Sequence, residues 1–118
     1  MMTLGQLRRQ REIIDGIDWD MTPEEAVTRY LEWGNNWSHG KNLVRSKKDF
    51  SCYFVVNTWD APPRIQLIRR NSDAAVELAE FDIPEAILQP FLKRTPKRGG
   101  VYAPDREIRE WLEKELYG

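Results

Sequence analysis

The stretch Asp49–Ile83, "DFSCYFVVNTWDAPPRIQLIRRNSDAAVELAEFDI", decides the fold. Its first part, Asp49–Trp59, is dense in aromatic and β-branched residues, which fit a pleated, half-buried surface, and it reads as a strand. Phe50, Cys52, Phe54 and Val56 fall on one face, and Tyr53, Val55 and Trp59 on the other. Both faces are apolar, which predicts a strand covered on both sides. "DAPP" is a turn, because Pro62 and Pro63 bring no N–H to a ladder. "RIQLIRR" reads as a second strand with Ile65 and Leu67 facing one way, and "NSD" as a tight turn. The next segment, "AAVELAEFDI", fits two templates. Ala74, Ala75, Leu78 and Phe81 have helical spacing, while Val76 and Leu78 against Glu77 and Ala79 fit a strand. The short turn before it selects a third strand, so the whole stretch predicts a three-stranded antiparallel meander.

Helices are expected before and after this meander in the chain, packed against one of its faces. Leu4, Leu7, Ile14 and Ile17 recur at helical spacing, and Thr3 and Gln6 have the spacing of a capping box. A first helix is predicted from about Leu4 to Asp15, with Arg8, Arg9 and Arg11 on its wet side. "DWDM" links it to a second helix, from Pro23 to about Asn35 or Trp37. There Thr22 is the N-cap, Pro23 takes the first helical position and Glu25 completes a capping box. Ala26, Val27, Tyr30, Leu31, Trp33 and Gly34 form its apolar stripe. After the meander, "DIPEAILQPFLKR" predicts a helix capped by Asp82 and kinked or split by Pro90. "TPKRGG" reads as a loop. "APDREIREWLEKELYG" predicts a last helix, with Pro104 and Asp105 in its first turn and Ile108, Trp111, Leu112 and Leu116 as its stripe. The order α-α-β-β-β-α-α describes a single α+β domain over residues 1–118, with the helices packed on the sheet.

Composition supports this. A chain of 118 residues with 41% apolar and 31% charged residues is too apolar for a disordered segment. At that size folding buries roughly two thirds of the unfolded surface, which needs no disulfide or metal staple. The single cysteine, Cys52, excludes an intrachain disulfide, a CxxC redox pair and a cysteine-based zinc site. It fits a reducing compartment. The N-terminus lacks the apolar stretch of a signal peptide and no apolar run is long enough to span a bilayer, so a cytoplasmic protein without membrane association is expected.

Few catalytic constellations survive inspection. His39 is the only histidine, and no carboxylates stand at metal-ligand spacing from it. Cys52 sits within an apolar strand, where a thiol is a small hydrophobe rather than a nucleophile. No cofactor motif is present. Gly99-Gly100 lies in neither GxxxxGK[ST] nor GxGxxG, and reads as an interhelix loop.

Charge is unevenly spread. From Glu12 to Glu25 there are six acids and no base, and from Lys41 to Arg70 there are seven bases against Asp49 and Asp60. Lys93, Arg94, Lys97 and Arg98 form a further basic cluster. Such runs are solvated faces joined by salt bridges, or a face for an anionic partner. Five tryptophans add an aromatic excess, and Trp, Tyr and Arg are the side chains enriched at interface hot spots. Trp33, Asn36, Trp37, His39, Lys41 and Arg45 are therefore the candidate contacts, joined by Trp59, Arg69 and Arg70 if the sheet presents a second surface. The expected function is that of a non-catalytic binding, regulatory or accessory domain, with a protein partner or a second copy as its ligand. Nucleic acid or another anionic ligand on the basic and aromatic surface is the alternative. The RNP signature of single-strand RNA readers is absent.

Overall fold

The computed structural model describes residues 1–19, 51–58, 61–70, 75–94 and 101–118. Its centre is the predicted meander. Strands β1 (Ser51–Asn57), β2 (Arg64–Arg70) and β3 (Ala75–Asp82) are antiparallel neighbours. A two-residue strand that the sequence reading did not foresee, β4 (Val101–Tyr102), joins the other side of β1, giving the order β3-β2-β1-β4. The described helices are α1 (Leu4–Leu7), α2 (Arg11–Asp15), α3 (Glu85–Arg94) and α4 (Arg106–Tyr117). The fold is α+β.

Strand register places the core. Cys52, Phe54 and Val56 lie opposite Arg69, Leu67 and Ile65, while Leu67 and Ile65 lie opposite Ala79 and Phe81. Opposed residues share a face. Phe54, Val56, Ile65, Leu67, Ala79 and Phe81 form one core with Leu7, Ile14 and Ile17, with Leu88 and Phe91 of α3, and with Ile108, Leu112 and Leu116 of α4. The described helices therefore pack on the face that holds Phe54. Tyr53, Val55 and Ile68 alternate to the opposite face and are also buried, as the two apolar faces of β1 require. On that second face the buried amides of Asn57 and Gln66 meet through a hydrogen bond of 3.3 Å, which offsets their desolvation.

β3 shows why its sequence fits two periods. The register slips between Leu67 and Ile68, so that Ala79 opposes Leu67 but Glu77 opposes Ile68. Leu78 is the extra residue of a bulge, and the slip breaks the alternation expected of a regular strand. It packs half-buried against the core. Beside it Met2 forms a parallel bridge, donating to the Leu78 carbonyl at 2.9 Å and accepting from the Glu80 N–H at 3.1 Å. Bulge and bridge together blunt this edge of the sheet.

The helices depart from expectation in three places. First, the Leu4–Asp15 helix is two short helices. The capping box forms as predicted, with Thr3 Oγ1 accepting from the Gln6 N–H and Gln6 Oε1 from the Thr3 N–H. The N–H groups of Arg9 and Gln10 then reach back only three residues, and Gln10 leaves the helical region (φ −98°, ψ 71°). At this break the chain turns Arg8 and Arg11 onto the end of α4. Arg8 Nε donates to the Glu115 carbonyl at 3.0 Å, its guanidinium pairs with the Glu115 carboxylate, and Arg11 donates to the Leu116 carbonyl at 2.8 Å. The last carbonyls of a helix have no partner within it, and cations there also oppose the macrodipole. Second, Asp82 ends β3 rather than capping α3, and the Pro84 carbonyl accepts from Ile87 and Leu88 instead. Third, Pro90 does not split α3, which runs through it. The carbonyl four residues back belongs to exposed Ala86, so losing its donor leaves no buried polar group unpaired. α4 forms with the predicted stripe but starts at Arg106, so Asp105 is its N-cap rather than a first-turn residue and accepts from the Ile108 N–H at 3.0 Å. The second predicted helix, from Pro23, lies outside the described residues. None of the described helices is long and apolar enough to cross a membrane.

Candidate binding cleft

Past α2 the chain runs beside β1, where the Asp18 N–H donates to the Cys52 carbonyl at 2.8 Å. That bond sets Trp19 at the junction of the sheet and α4. Its ring lies 5.6 Å from Phe54 and 6.2 Å from Tyr117, tilted to both, at separations typical of favourable aromatic pairs. The indole N–H donates to the Tyr117 hydroxyl at 3.1 Å, and that hydroxyl donates to the Ile14 carbonyl at 3.2 Å. Arg109 approaches the same indole, its guanidinium 6.0 Å from the Trp19 ring centre, at the outer reach of a cation–π contact. Glu113, one turn along α4, accepts from Arg109 Nε at 2.9 Å and helps hold the guanidinium.

These groups border a cleft of about 60 Å³ lined by Asp18, Trp19, Tyr53, Phe54, Ala103, Pro104 and Arg109. Its walls are an indole, a phenyl ring and a proline ring, and its charged members are one carboxylate and one guanidinium. The volume suits a few waters or part of one side chain. Phe54 continues into Phe81 at 6.1 Å and Phe81 into Trp111 at 6.2 Å, so an aromatic row joins the cleft wall to the core-packed Trp111 of α4.

Cys52 lies beside this region, half-buried on β1. Burial pushes its thiol up to about 11, against the weaker opposing pull of the Arg69 guanidinium. Among the described residues no group of three or more His, Cys, Asp or Glu side chains could hold a metal ion.

The sequence-derived candidates are largely elsewhere. Trp33, Asn36, Trp37, His39, Lys41, Arg45 and Trp59 lie outside the described residues. Arg69 is exposed on β2 opposite Cys52, and Arg70 ends that strand opposite Ser51 and Ala75. Arg69 does not line the cleft. Trp19, Asp18 and Arg109, which do, were not singled out. In the sequence Trp19 falls in the "DWDM" linker, and its partner Tyr117 lies 98 positions away, beyond any local pattern.

Comparisons of the chain with protein-family models, with curated proteins and with solved structures give no significant match.

Proposed function

We propose that the protein is a non-catalytic binding or accessory domain that acts through protein–protein contacts, and that the Trp19–Arg109 cleft is one of its contact surfaces. The observation that supports this is the cleft's chemistry. A half-buried tryptophan, a guanidinium over it and the half-exposed Tyr117 supply the three residue types enriched at interface hot spots. All three are held in place by hydrogen bonds or ion pairs, so little side-chain entropy remains to be lost on binding. The cleft admits part of one anchoring side chain of the partner, whether another protein or a second copy of this chain. A cytoplasmic setting belongs to this reading and is supported by the free thiol of Cys52.

Among the described residues five arginines are already engaged, which favours a protein partner over nucleic acid at their surfaces. Arg8, Arg64, Arg94, Arg106 and Arg109 are each paired with a carboxylate. Phosphates would have to displace those acids.

The test is capture of partners from the native cell by the full chain and by its Arg109→Ala variant, with sedimentation of the purified chain to reveal self-association. A partner held by the wild type and lost by Arg109→Ala supports the proposal. Partners retained equally by both, or retention only of nucleic acid in a salt-sensitive manner, would refute it.

A further inference from the structure

We draw no further inference here: the strongest candidate outside the cleft, the open groove between Arg8, Arg11 and Lys114 at the end of α4, carries nothing because its two arginines are engaged by Glu115 and the last carbonyls of that helix and no bound group or unpartnered buried side chain marks a ligand there.

Discussion

The hydrogen-bond chain from Trp19 through Tyr117 to Ile14 ties the N-terminal segment to α4, and a double-mutant cycle measures it. Tyr117→Phe removes one hydroxyl that both accepts from the indole and donates to the Ile14 carbonyl. Each such bond contributes about 1 kcal/mol net. Tyr117 is 50% exposed, so water replaces part of the loss, and the expected cost is about 1 kcal/mol. Trp19→Phe keeps an aromatic ring against Phe54 but deletes the N–H and part of the ring contact, at about 1–2 kcal/mol. The bond between the two side chains is lost in either single variant and can be lost only once. The double variant should therefore be destabilised by less than the sum, with a coupling of about 0.5–1 kcal/mol. Urea denaturation followed by circular dichroism reads all four proteins. Additivity to within about 0.3 kcal/mol would show that this contact contributes nothing to holding the N-terminal segment on α4.

Three further outcomes are expected. Leu112→Ala, at a fully buried position between α4 and the sheet, should cost about 2–5 kcal/mol in the same denaturation experiment. Arg11→Ala removes the donor to the Leu116 carbonyl and should cost about 1 kcal/mol while speeding amide exchange in the last turn of α4. The Cys52 thiol, raised from 9.0 to about 11, should react with a disulfide reagent on the order of 100-fold more slowly at pH 8 than in the urea-unfolded chain, from thiolate population alone. Its linkage has a fixed sign. Above pH 9 the unfolded chain loses this proton while the folded chain keeps it, so stability is fully present below pH 9 and falls by at most about 1.4 kcal/mol per pH unit between 9 and 11. A Cys52→Ala variant should lack that slope. An equal slope in both proteins would assign the effect to other groups.

What the sequence disclosed, and what it hid, divides along the range of the interactions. "RIQLIRR" is β2 residue for residue, and the strand in Asp49–Trp59 spans Ser51–Asn57, because β-branched and aromatic density is a local property. The Thr3–Gln6 capping box and the apolar stripe of α4 were legible for the same reason. β3 was only half legible, since the bulge at Leu78 breaks the alternation that identifies a strand. The break between α1 and α2 was invisible. Arg8 and Arg11 find their partners at Glu115 and Leu116, more than a hundred positions on. Pro90 misled through its general helix-breaking cost, which falls when the orphaned carbonyl belongs to an exposed residue. The cleft is non-local throughout, assembled from the end of the N-terminal segment, the middle of β1 and the start of α4, so no spacing rule could have gathered its members.

The most direct measurement is the affinity of a captured partner for the wild type and for Arg109→Ala, each checked for an unchanged fold. Arg109 and Glu113 form a surface pair with side chains 41% and 39% exposed, so the variant should lose no more than about 1 kcal/mol of stability. If the cleft is a contact surface, affinity should fall by about 30-fold or more, the mark of a hot spot. An affinity unchanged within about twofold, in a variant that is fully folded, would contradict the assignment of this cleft to binding.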